Sequence, residues 1–306
     1  MKIIKAVIVI VLVASLSAFV YIGTENSTPT TQLAWAEMPE NTNPNLKYFG
    51  FYHFDSHIDE LSSFEMCNVA KTDARNVSRV KHLTSTGFQV FIMTQYIFYQ
   101  DGNIHPDWEE NWTTAKAELS PFMDNIIGFY VDEPYLTEKS KEAFHLNCQI
   151  VKQDFPNKKM MSVMSLQGLS GADNDYFEHC TNIAYDLYLP WNKDNVLSHI
   201  NSMKNKFAYN SQDIWLIPKA FYTIEMHYYA VAEDRSLAPG DDILNWIKGS
   251  YEIAVEDPRI VGIYPFVYDN GGFDMTMRDF MIEDSEHYRE DLTNIYIQIA
   301  RKIINN

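Results

Sequence analysis

From Lys47 onward, short apolar runs rich in β-branched and aromatic residues alternate with longer segments in which apolar residues recur at helical spacing. The runs are KYFGFYH (47–53), MCNVAK (66–71), FQVFIMTQ (88–95), IIGFYVD (126–132), KMMSVMS (159–165), NIAYDLY (182–188), DIWLIPKAF (213–221) and IVGIYPFV (260–267). Between them, Trp108, Trp112, Ala115 and Leu119 fall at i, i+4, i+7 and i+11. Phe144, Cys148, Val151 and Phe155 repeat that spacing, as do Val196, Ile200, Met203 and Phe207, and each set marks one buried helical face. Leu292, Ile295, Ile299 and Ile303 predict a closing helix, and Gly87 and Pro156-Asn157 stop helices ahead of the third and fifth runs. Strands alternating with helices mean a parallel sheet. Eight repeats predict a closed α/β (β/α)8 TIM barrel in one domain over 47–306, rather than an open doubly wound sheet, which would carry a Gly-rich phosphate turn. The second run and the helices after the first and fifth runs are the shortest stretches, and loss of the second run would leave the barrel broken.

The remainder of the chain changes this picture little. Residues 1–22 begin with Lys2 and Lys5 and continue as an apolar stretch, the layout of a secretory signal peptide or of an uncleaved N-terminal anchor. Residues 23–46, dense in Thr, Asn, Pro and Glu, read as a polar linker. Export follows as the expectation, with the membrane a partner only through that anchor. A formal net charge of -17 excludes nucleic acid as a partner, because nothing neutralises phosphates. Three cysteines, Cys67, Cys148 and Cys180, are too few for a disulfide framework, though an exported chain could form one bridge. No zinc spacing occurs, so neither a structural metal nor a cofactor is expected.

Barrel enzymes work on the loops after the C-terminal strand ends, so the useful residues are those each run delivers there. They are His53 and Asp55 from the first; Gln95, Tyr96 and Tyr99 from the third; Asp132, Glu133 and Tyr135 from the fourth; Ser165 and Gln167 from the fifth. The sixth delivers Asp186, Tyr188 and Trp191, the seventh Lys219, Tyr222 and Glu225, and the eighth Tyr268, Asp269 and Asn270. Acids and aromatics together suit an oligo- or polysaccharide: acids hydrogen-bond its hydroxyls, and rings stack on its C–H faces. Adjacent Asp132 and Glu133 at the end of IIGFYVDEPY offer an acid whose pKa the neighbour would raise, as glycosidic cleavage requires. Strand alternation forbids both from facing the axis on regular β geometry, so one of them belongs to the turn that Pro134 forces.

The Asp132-Glu133-Pro134 end of the fourth run resembles the retaining β-glycosidase superfamily of (β/α)8 barrels, whose fourth strand ends in Asn-Glu, often followed by Pro. AYDLYLPW (184–191) and WLIPKAF (215–221) are similar to the D-x-Y-P and W-x-x-P-Q-A-F patterns of related glycosidases. The resemblance implies Glu133 as acid/base and Asp132 as a neighbour that contacts sugar or tunes it. Asp replaces the usual Asn, Lys219 stands where relatives have Gln, and Glu225 lies beyond the strand-seven position of the superfamily's nucleophile. The second carboxylate stays open among Glu225, Asp186, Asp132 and Asp269. His53, Gln95, Tyr96, Tyr135, Tyr188, Trp191, Lys219, Tyr222, Tyr268 and Asp269 are the expected sugar contacts, with Trp191, Tyr222 and Tyr268 as stacking platforms and Lys219 pairing with Asp186 or Glu133. The rival readings are a non-catalytic carbohydrate-binding barrel and a metal-dependent hydrolase using His53 or His57.

Overall fold

The computed structural model describes residues 38–54, 57–63, 65–134, 138–165, 168, 171–207, 211–223, 237–269 and 273–306, all within one compact unit, Gln32–Asn306. Each of the eight runs forms a strand: β1 (Tyr48–Phe49), β2 (Val69–Asp73), β3 (Gln89–Met93), β4 (Ile126–Val131), β5 (Lys159–Met164), β6 (Asn182–Leu187), β7 (Asp213–Pro218) and β8 (Ile260–Ile263). They make one parallel sheet in the order β1-β8-β7-β6-β5-β4-β3-β2. The principal helices are α1 (Ile58–Ser63), α2 (Val77–Ser85), α3 (Trp108–Leu119), α4 (Glu138–Asp154), α5 (Lys193–Lys206), α6 (Asp241–Glu256) and α7 (Glu290–Ile304). This is the (β/α)8 barrel.

Between β1 and β2 one asparagine does what a ladder does elsewhere. Asn68 Oδ1 accepts from Phe49 N at 3.0 Å, its Nδ2 donates to Lys47 O at 2.7 Å, and its own N donates to Phe49 O at 2.9 Å. The side chain imitates a peptide group at the seam.

Strand alternation sorts the core into two layers. Val69, Phe91, Tyr130, Met161, Val163, Ala184, Trp215, Ile217 and Val261 pack with one another inside the barrel, while their sequence neighbours pack outward against the helices. The interior is heavily aromatic: Trp215 stacks on Tyr48 at 5.1 Å and meets Phe91 edge-on at 5.3 Å. Gly262 makes room for it, since a Cβ there would lie 2.5 Å from the indole.

One expectation shifts. Residues 41–46 belong to the domain rather than to a linker: buried Asn43 donates through Nδ2 to the carbonyls of Ala254, Asp257 and Ile260, closing the end of α6. Their polarity serves capping, not solvation. Residues 1–37, with the signal or anchor and most of the linker, lie outside the described residues. Among the described residues no helix is long and apolar enough to cross a membrane.

Candidate active site

β4 carries the centre of the site. Asp132 keeps the alternation of Gly128 and Tyr130 and so continues the inward-facing row at the strand's C-terminal end. Tyr52 OH donates to its Oδ1, and its backbone N donates to Gln95 Oε1 at 2.9 Å. Glu133 leaves the alternation altogether. Its φ is 38°, a left-handed backbone that non-glycine residues adopt at a cost, and Pro134 prevents the ladder from continuing. The turn lets two consecutive acids serve one mouth. Glu133 itself is exposed at the rim, but its carboxyl hydrogen-bonds to the side chains of Ser165 and Asp186, at the inward positions ending β5 and β6.

Asp186 is buried, with 6% of its surface exposed, and Tyr188 OH donates to its Oδ2 at 3.2 Å. Burial, then the charges of Glu133 and Asp132, hold its carboxyl well above the usual carboxylate range. Burial and the charge of Asp132 raise Glu133 as well, whereas its hydrogen bonds with Ser165 and Asp186 oppose that rise. Two carboxyls can hydrogen-bond each other only by sharing a proton. Both carboxyls are raised, so the bond between them retains one proton in the pair. Among the described residues Asp186 Oδ1, which is buried, has no hydrogen-bond partner, a position tolerable for a neutral acid and costly for an anion.

Aromatic rings wall this cluster. Tyr52 meets Tyr130 edge-on at 6.1 Å, and Tyr188 stacks on Phe266 at 5.3 Å. Lys71 Nζ lies 3.6 Å from the centroid of the Tyr52 ring, whose hydroxyl holds Asp132. Burial and Asp132 push the Tyr52 phenol well up, so it stays a neutral donor. Tyr52, Lys71 and Tyr130 have no place among the sequence candidates: the second run, which ends at Lys71, contributed none, and Tyr52 and Tyr130 stand one and two positions inside the ends of theirs.

Several expected contacts are placed elsewhere. Trp191 is buried, crosses Trp246 edge-on at 5.0 Å and occupies the space over Gly249 of α6, so neither face is open to stack on sugar. Tyr268 is fully buried against Phe51, with its hydroxyl donating to Glu60 Oε2 at 3.1 Å. Both rings pack the scaffold. Lys219 is fully buried and donates to Asp242 Oδ2 at 3.1 Å, in place of the expected Asp186 or Glu133; no cation contributes to the shift of Glu133. Asp269, also buried, is tied to His57 Nδ1. His53 is half-buried beside Phe266, Tyr222 is half-buried on an antiparallel pair with Met275, and Tyr96 is exposed with Arg75 over its ring at 4.3 Å. Tyr135, Gln167, Glu225 and Asn270, like Asp55, lie outside the described residues.

No family model matches the chain, and no curated protein matches it in sequence. Solved structures do match. A GH2 β-galacturonidase from Eisenbergiella tayi superposes with a TM-score of 0.57 at 11% identity, over 85% of this chain and 52% of that one. A β-D-glucuronidase from Dictyoglomus thermophilum gives 0.54 at 10% identity, over 87% and 51%. A GH113 β-1,4-mannanase gives 0.51 at 12% identity, over 85% of this chain and 99% of that chain. The chain spans about half the length of the first two. At these identities the likeness is one of fold: a (β/α)8 barrel of the kind glycoside hydrolases use.

Proposed function

We propose that this chain is an exported glycoside hydrolase that cleaves O-glycosidic bonds of an extracellular oligo- or polysaccharide. The observation that carries this reading is the hydrogen-bonded carboxyl pair Glu133–Asp186 at the C-terminal mouth of the barrel. Glycoside hydrolases among the structural neighbours support it. Glu133, resupplied through its hydrogen bond to Asp186, donates the proton to the leaving glycosidic oxygen. The pair then takes a proton back from the incoming water. Hydrogen-bonded carboxyls stand closer than the ~5 Å of retaining or the ~6.5–9.5 Å of inverting pairs, so these two form a single acid unit. The opposing carboxylate falls to Asp132, which Tyr52 orients, or to Glu225.

The test is a panel of alkyl and nitrophenyl glycosides against wild type and the variants Glu133→Gln, Asp186→Asn, Asp132→Asn and Glu225→Gln. Glu133→Gln should lower kcat/KM by about 10²–10⁴-fold on alkyl glycosides, which need an acid, and far less on nitrophenyl ones, which do not. Undiminished alkyl-glycoside turnover in that variant would remove the assignment. A second reading, a sugar-binding barrel without turnover, is favoured by β7, which ends in Pro218 and Lys219 without a carboxylate. Glycan binding by a wild type that hydrolyses nothing would select it.

A further inference from the structure

A second cluster of chemically able side chains lies away from the barrel mouth. His145 projects from α4, while Glu178 and His179 sit on the turn segment that leads into β6. One ligand atom from each residue lies within 4.8 Å of the other two, a spacing that small rotations about χ1 and χ2 convert into a first coordination sphere. The imidazoles meet edge-to-face with centroids 4.8 Å apart.

The supporting contacts are of the type metal sites use. His145 Nε2 donates to the carbonyl of Tyr176 at 3.1 Å, which fixes the tautomer and leaves Nδ1 with its lone pair free. Phe144 and Tyr176 pack against the same ring and hold its plane. His179 Nε2 lies 3.4 Å from Glu178 Oε1, so the carboxylate already faces the imidazole.

We propose that His145, Glu178 and His179 bind one divalent transition-metal ion of the zinc class, stapling α4 to the segment that enters β6. Two imidazoles and a carboxylate suit zinc, with solvent in the fourth position. The sequence hides the site because its ligands come from two elements far apart in the chain, and no short ligand spacing is repeated.

Chelator-treated full-length protein is titrated with Zn2+ alone, and in parallel with Co2+ followed by visible absorption. We expect one equivalent to bind, a rise in Tm on binding, and tetrahedral Co2+ bands without a thiolate charge-transfer band. The last point matters because the thiols of Cys148 and Cys180 touch each other close by. His145→Gln and His179→Gln should each weaken binding by at least about tenfold, by analogy with the loss of supporting groups around metals. Cys148→Ser and Cys180→Ser should leave it unchanged. Should the histidine variants fail to fold, Glu178→Gln, at an exposed position, is expected to fold and to bind more weakly. Absence of stoichiometric binding, binding undiminished in folded ligand variants, or a thiolate band lost in the cysteine variants would each overturn the proposal. Circular dichroism of every variant without metal separates ligand loss from misfolding, and none of these readouts depends on glycosidase activity.

Discussion

At the residue scale, the three carboxyls at the mouth control one another through charge. Asp132 raises the pKa of Glu133, so Asp132→Asn, which removes that negative charge, lowers it. Activity that needs protonated Glu133 is lost as pH rises through that pKa. The alkaline limb of the kcat/KM profile should therefore move to lower pH in Asp132→Asn, and a limb that stays in place would break the coupling. Asp186 leads to a stability prediction of opposite flavour. Its folded pKa stands well above its unfolded value near ~4, so the acid costs stability as pH rises past that value. Asp186→Asn should raise Tm at neutral pH, with the gain fading as pH falls towards about 4, where aspartate is protonated in both states. Thermal melts across that range measure it. The sequence put Asp132, Glu133 and Asp186 among six acids at strand ends, and the structure brings these three together. The sequence could not reveal their union, which depends on a left-handed Glu133 that no neighbouring glycine announces. Trp191 and Tyr268 show the converse: a large ring near a strand end is equally suited to the helix–sheet interface, and only packing distinguishes the two.

At the element scale, the barrel depends on a seam with no regular ladder. β1 has two residues in its strand, and Asn68 supplies two side-chain hydrogen bonds to its backbone. Asn68→Ala removes both and leaves Phe49 N without that acceptor. At ~0.5–1.5 kcal/mol for each hydrogen bond, the loss should be about 1–3 kcal/mol, read as a lower urea midpoint at an unchanged m-value. All eight strands were legible because period-two apolar runs survive in a sheet buried on both faces. MCNVAK, the weakest run, forms β2 over Val69–Asp73, starting three residues later and ending two residues later. Its start was misread because Met66 faces the outer core and Asn68 closes the seam, so neither follows strand logic. Residues 41–46 read as linker for a related reason: composition cannot separate an asparagine in solvent from Asn43, whose amide closes the end of α6.

At the scale of the whole molecule, charge selects the substrate the proposed enzyme can accept. Against 24 Lys and Arg the chain carries 41 Asp and Glu, and Asp132, Glu133 and Asp186 gather at the mouth with Lys71 close by. A field of that sign repels anions before they reach the barrel, and clefts concentrate it. A neutral glycoside is unaffected. With matched aryl leaving groups, a neutral hexoside should therefore show the higher kcat/KM at low ionic strength, and a hexuronide the lower. The repulsion is screened as the Debye length falls from ~30 Å at 0.01 M to ~8 Å at 0.15 M, so added salt should raise kcat/KM for the uronide and leave the neutral hexoside nearly constant. A uronide preferred at low salt, with turnover that falls as salt is added, would mean that a local cation such as Lys71 outweighs the global charge. Lys71→Met would then remove the preference, because Lys71 lies over the ring of Tyr52, whose hydroxyl holds Asp132.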